Sequence, residues 1–108
     1  MTADHIVVFC TVPNAEDGAA MARQLVAEKL VACVNIVDQL RSIYVWQGEV
    51  CDDGEALMVM KTRHERFEAL RERITALHSY DVPEVIALPI AAGHAPYLAW
   101  IDENVATD

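Results

Sequence analysis

Apolar and polar positions along the chain change period several times, and each change marks an element. Residues 6–11 form an apolar run rich in β-branched side chains, the pattern of a buried strand. Thr11-Val12-Pro13-Asn14 ends it. Asn14 is placed to cap a helix whose first turn carries Glu16 and Asp17, carboxylates that suit the positive end of a helix dipole. Ala19, Ala22, Val26 and Leu30 recur at helical spacing, which predicts a helix running to about Lys29. Residues 31–36 return to strand. The pattern blurs at Asp38 and Gln39 and resumes over residues 42–46, where Ile43, Tyr44, Val45 and Trp46 suit a pleated surface. Gln47-Gly48-Glu49 reads as a turn or bulge, and Asp52-Asp53-Gly54 as a second turn with hairpin chemistry. Residues 55–61 read as a strand buried on both faces.

A second helix is predicted over residues 62–78. Thr62 is its expected N-cap, with Glu65 as the capping-box partner and Phe67, Leu70, Ile74 and Leu77 as its buried stripe. Residues 85–90 form the last strand. Pro89 cannot donate to a ladder, which puts that strand at an edge or a bulge. A loop over residues 92–94 leads to a terminal helix over residues 95–105, with Pro96 in its first turn and Tyr97, Leu98 and Ile101 as its packing face. Strand, helix, strand, strand, helix, strand is a split βαβ arrangement. The expected fold is therefore α+β: one ferredoxin-like βαββαβ sandwich domain over 1–108, with a long hairpin between its second and third strands and an added C-terminal helix. The helix-free face of such a sheet must be covered or polar. Here the middle strands are apolar on both faces, which favours packing the sheets of several copies together.

Composition sharpens this. The apolar fraction is 54% without glycine, above the roughly 45–50% usual with glycine included, and oligomerisation is the economical explanation. A net charge of −9 with only 8 Lys and Arg leaves no basic stripe for nucleic acid. Four of those cations fall between Lys61 and Arg71, among Glu65, Glu68 and Glu72, as on a solvated helix face. Three cysteines, Cys10, Cys33 and Cys51, make neither a disulfide framework nor a CxxC motif, which points to a reducing compartment. The amino terminus lacks a basic leader region, and no apolar run approaches the ~18 residues of a membrane span. The expected location is the cytoplasm, with no membrane partner.

The link at residues 78–84, His-Ser-Tyr-Asp-Val-Pro-Glu, carries more side-chain chemistry than a helix-to-strand turn requires, and loops on rigid scaffolds are where function concentrates. Six segments in order resemble the CutA family of divalent-cation tolerance proteins. They are Cys10-Thr11-Val12-Pro13, residues 25–36 (Leu-Val-Ala-Glu-Lys-Leu-Val-Ala-Cys-Val-Asn-Ile), Ser42-Ile43-Tyr44-Val45-Trp46-Gln47-Gly48, Met60-Lys61-Thr62, the 78–84 link itself, and Tyr97-Leu98-Ala99-Trp100-Ile101. The resemblance implies a homotrimer with inward-facing sheets and clasping hairpins, an assembly similar to the PII signalling trimers, and a link to tolerance of divalent metals, notably copper, without an established catalytic reaction. It also implies a copper site at a first-loop cysteine and two adjacent histidines. Cys10 and His78 match two of these ligands, and Leu77 stands where the other histidine would be. Thiolate and imidazole both suit copper. An inert buried thiol and a helix-capping histidine are the bland alternatives.

Lys61, Tyr80 and Glu84 are candidates for a cleft between subunits that takes a small anionic ligand, as in PII-like trimers; the alternative is a hydrogen-bond network fixing the trimer. Tyr44, Trp46 and Trp100 are expected at the trimer contact, since aromatics dominate interfaces. His5, His64 and His94 read as surface histidines, and Cys33 and Cys51 as structural. Cys10 with His78 could be a nucleophile and base, but no G-x-S-x-G, P-loop or H-E-x-x-H motif accompanies them, and a non-enzyme is expected. The reading is a homotrimer that binds copper or another divalent metal. A PII-like signalling or scaffold trimer is the alternative.

Overall fold

The computed structural model describes residues 4–106. Met1-Thr2-Ala3, on which the reading of a leaderless amino terminus partly rests, and the last two residues of the expected 1–108 domain lie outside them. The elements run β1 (His5–Val12), α1 (Ala15–Ala27), β2 (Cys33–Trp46), β3 (Glu49–Arg63), α2 (Phe67–Leu77), β4 (Ile86–Pro89) and α3 (Ala95–Glu103). All strand pairs are antiparallel, in the order β2-β3-β1-β4. This is the expected α+β ferredoxin-like sandwich.

Alternation along β1 and β3 divides the sheet into two faces. Ile6, Val8, Cys10 and Val12 pair with Thr62, Met60, Met58 and Ala56, and all eight are buried beneath α1 and α2 together with Leu25, Leu70 and Ile74. His5, Val7, Phe9 and Thr11 pair with Arg63, Lys61, Val59 and Leu57 on the opposite face. Leu88 and Ile86 continue that face opposite Val7 and Phe9, and are 50% and 52% exposed. α3 covers only one end of it. Asp102 of α3 accepts from His5 and Arg63, Tyr97 meets the Cys33 thiol at 3.7 Å, and Ile101 and Val105 pack on Ala32. His5, expected at the surface, is thus half-buried and holds α3 to the sheet; a histidine that can reach a carboxylate 97 positions away gives no local sign of it.

Two local expectations are corrected. Asp52-Asp53-Gly54 is not a turn. These residues lie inside β3, opposite Ile43, Ser42 and Arg41. The reversal is at Gln47-Gly48, where both residues take positive φ, 51° and 81°, as a type I′ hairpin requires. Thr62 does not cap α2. It ends the apolar alternation of β3, fully buried, and its Oγ1 donates to the Leu30 carbonyl at 2.7 Å. A short 3-10 turn over His64–Arg66 then leads into α2. The predicted blur at Asp38 and Gln39 is a bulge between Val37 and Leu40, with Gln39 at φ 61°. Asn14 caps α1 as expected, its Oδ1 accepting from the Asp17 amide at 2.8 Å. Pro89 lies on the edge strand.

β1 ends opposite Ala56, while β2 and β3 stay paired out to Trp46 and Glu49. The distal hairpin therefore leaves the sheet as a two-stranded arm, and the molecule measures 43 × 27 × 23 Å. Arg41 grips Asp52 across the arm through Nε and Nη2, at 2.9 and 2.7 Å.

Replacing Thr62 with valine keeps the shape and leaves the buried Leu30 carbonyl without its donor. The expected loss is about 1–2 kcal/mol of unfolding free energy, read as a lowered denaturant midpoint at unchanged slope. An unchanged midpoint would contradict this role.

Candidate functional site at the end of the first strand

Cys10 sits near the end of β1, on the side covered by helices, and is 0% exposed. His78 follows the last residue of α2, its amide still bonded to the Ile74 carbonyl at 2.8 Å. The fold brings the two together on one atom. His78 Nε2 lies 2.8 Å from the Thr11 carbonyl oxygen, and the Cys10 thiol donates to the same oxygen at 3.6 Å. The Tyr80 amide donates to His78 Nδ1 at 3.1 Å. A nitrogen that accepts carries no hydrogen, so Nε2 is the protonated nitrogen and donates to Thr11. Both ring nitrogens are engaged.

Burial pushes the Cys10 thiol up to about 12, and the negative charges of Glu84 and Glu55 add to the shift. A protonated, enclosed thiol is a poor nucleophile, which weakens the nucleophile–base pairing with His78. The same facts bear on copper. Two donors converge, but the sulfur keeps its proton and the imidazole has no spare lone pair. Among the described residues, no three His, Cys, Asp or Glu side chains gather as a metal-holding group. The free chain therefore does not present a preformed site that fits a resident metal. Leu77, beside His78, has no ligating atom.

Beyond Thr11 the sheet opens into a cleft of about 590 Å³, between the base of the hairpin arm and the 78–84 link. Tyr80 and Glu84 line it, as do Tyr44 and Trp46 of the arm. Glu55 forms its floor, 8% exposed, and accepts from the Tyr80 hydroxyl at 2.7 Å. Burial first, and then this bond, raise the Tyr80 pKa. Tyr44 donates to Asp53 at 2.5 Å, and that bond is the main reason its pKa rises to about 12. Lys61 is not in this group. Its Nζ donates to Asn35 near the opposite end of β3, six residues from Glu55, or about 20 Å along a strand. Within one chain the expected Lys61–Tyr80–Glu84 cleft loses its lysine, and among the described residues no Lys, Arg or His lines it. The importance of Glu55 was missed by sequence reasoning. As the first residue of a predicted buried strand it carries no expected role, and only the Tyr80 contact identifies it.

Tyr44 and Trp46 are exposed on the arm, and Trp100 is exposed on α3, stacked on Tyr97 with ring centroids 5.6 Å apart. Cys33, Cys51 and Cys10 are all free thiols.

Comparison with known proteins settles the lineage. The family model described as "CutA1 divalent ion tolerance protein" matches residues 6–104. The chain belongs to the CutA1 family. The "Divalent-cation tolerance protein CutA" of Thermus thermophilus is 54% identical over 98 residues, covering 91% of this chain and 95% of that one. "Protein CutA 1, chloroplastic" of rice is 51% identical over 103 residues, covering 95% of this chain. The chain spans 58% of that relative's length. The crystal structure of rice CutA1 superposes with a TM-score of 0.94 at 48% identity, covering 99% of this chain and 98% of that one. The CutA1 fold thus accounts for the long arm and the appended helix alike. Among the described residues, no helix is long and apolar enough to cross a membrane.

The raised Cys10 pKa makes stability depend on pH. The folded chain holds this proton more tightly than the unfolded chain, whose thiol titrates near 9. The resulting stabilisation is complete below pH 9 and drains away as pH rises toward about 12. The difference in unfolding free energy between the parent chain and Cys10→Ala should be flat below pH 9 and shrink by about 1.4 kcal/mol per unit above it. A difference that stays constant to pH 11 would show the thiol is not held neutral by the fold.

Proposed function

We propose that this CutA1-family chain, folded as one domain, assembles as a homotrimer. It binds divalent cations, copper foremost, as cargo in tolerance of those ions. The observation that carries the metal reading is the convergence of the Cys10 thiol and the His78 imidazole on one carbonyl oxygen, in the negative field of Glu55 and Glu84. These are the donor types copper prefers. An entering cation must displace the thiol proton to solvent and take the His78 Nδ1 lone pair from the Tyr80 amide. Uptake is therefore coupled to proton release and weakens on acidification. Self-assembly is supported by the open apolar face around Phe9, Ile86 and Leu88, and by exposed Tyr44, Trp46 and Trp100. Three free cysteines suit a reducing compartment such as the cytoplasm; the rice relative, by contrast, is named chloroplastic. A protonated Cys10 argues for a binding protein over an enzyme.

The second reading is a PII-like signalling or scaffold trimer, favoured by the 590 Å³ cleft, which is within the roughly 300–1,000 Å³ range of small-molecule sites.

Copper titration by calorimetry under reducing conditions tests the first reading. The parent chain should show saturable binding that weakens from pH 8 to pH 6. Cys10→Ser and His78→Gln should each lower affinity at least about tenfold, the scale of losing one strong donor. Equal affinity in all three chains would contradict it.

A further inference from the structure

The carboxylate of Asp102 on α3 draws two strands to one oxygen. Its Oδ1 accepts from His5 Nε2 of β1 at 2.8 Å and from Arg63 Nη1 of β3. Arg63 in turn donates through Nε to Glu65 at 2.6 Å. Burial alone would raise the Asp102 carboxyl, but the His5 and Arg63 bonds outweigh it and hold the group below its ordinary value. The docked helix therefore favours the charged form. The apolar hold on α3 is slight by comparison. Ile101 and Val105 close on Ala32, with Leu98 beside them, in a cluster separate from the main core under α1 and α2. The Ala106 amide adds a bond to the Lys29 carbonyl at 2.9 Å. Residues 91–94, Ala-Ala-Gly-His, lead into α3 in neither helix nor strand. Just before them, the Ile90 amide is pinned to the His5 carbonyl at 3.0 Å.

We propose that α3 is a hinged cap that docks on the sheet as a unit, and that Asp102 is the latch that closes it. A segment with few buried apolar contacts opens at lower free energy than the core it rests on. Here the main core lies on the far side of the sheet, so α3 can leave without unpacking it. The pivot falls at residues 91–94, between the pinned Ile90 and the helix. Closure sets the position of Tyr97 and Trp100. These two rings are stacked and exposed, and Tyr97 meets Cys33 on the open sheet face. They swing away from that face when the latch opens. The consequence rests on the homotrimer reading: a closed cap presents both rings to a second copy, and an open one withdraws them. Asp102 is thus a positioning residue for self-association.

Amide hydrogen exchange of the full chain, with sedimentation of the same samples, tests the latch. Asp102→Asn keeps the shape of the side chain and removes its charge. It should speed exchange of the α3 amides at least about tenfold, the scale of one lost charged hydrogen bond, and leave those of β1 and β3 within about twofold. Asp102→Lys sets a cation against Arg63 and should hold the cap open. Self-association should then weaken at least about tenfold, with the β1 and β3 amides still protected. Glu103→Lys, the same charge change one residue on at an exposed position, should alter either readout less than about twofold. The proposal is overturned if the α3 and β1 amides exchange at one common rate in the parent and in Asp102→Asn, which would make α3 part of the core. It is also overturned if Asp102→Lys associates as the parent does, or if Glu103→Lys has as large an effect. A parent chain that never associates sinks the homotrimer reading instead, and the exchange rates then decide the latch by themselves.

Discussion

A four-stranded sheet that is apolar on both faces but has two helices for only one of them is the constraint on which the rest of the molecule depends. α1 and α2 close over Val8, Cys10, Met58 and Met60 completely. On the other face α3 reaches one end, where Asp102 ties it to His5 and Arg63, and leaves Ile86 and Leu88 half in water. At roughly 25 cal/mol per Å² of apolar surface removed from water, this face offers a driving force that the chain does not collect by itself. The arm follows the same logic. A two-stranded ribbon is marginal in water, and this one carries Tyr44, Val45, Trp46 and Val50 exposed along its outer length. The proposed homotrimer accounts for both features.

The chemistry at the end of β1 is a by-product of that packing. Closing the helices over the sheet buries Cys10 and fixes its proton. The turn after α2 places His78 and Tyr80 where they grip Thr11 and Glu55. Neighbouring groups thus differ sharply in accessibility. The thiol and imidazole are locked into hydrogen bonds inside the chain, while the carboxylates of Glu84 and Asp81 face an open cleft. In the proposed uptake, a cation from solvent meets the cleft first, and the sulfur only after the fold yields a proton and a hydrogen bond.

Much of the fold was legible because strong periodic signals set it. The alternation of β1, the Asn14 cap, the edge position of Pro89 and the first-turn Pro96 all depend on local chemistry. The failures share a cause. Asp52-Asp53-Gly54 has turn composition, yet the Gln47-Gly48 pair takes the positive φ angles and the acidic residues become cross-strand partners of the arm. Thr62 has the look of a cap, yet burial against Leu30 claims its hydroxyl. At the site, Cys10, His78, Tyr80 and Glu84 stood out as reactive types near loop ends, and the fold does gather them. Lys61 was grouped with them on the expectation that the end of the third strand lies near the start of the fourth in a cleft between subunits, and within one chain strand register separates it. Glu55 was passed over because nothing local marks a carboxylate that a phenol 25 positions later will hold.

The most direct test of this account is the solution mass of the full chain, by sedimentation equilibrium at micromolar concentration, beside a Leu88→Lys variant that places a charge on the open face. The account predicts a parent species of three times the chain mass, and a smaller one for the variant. A parent chain that sediments as a monomer, with its apolar face in water, would contradict it.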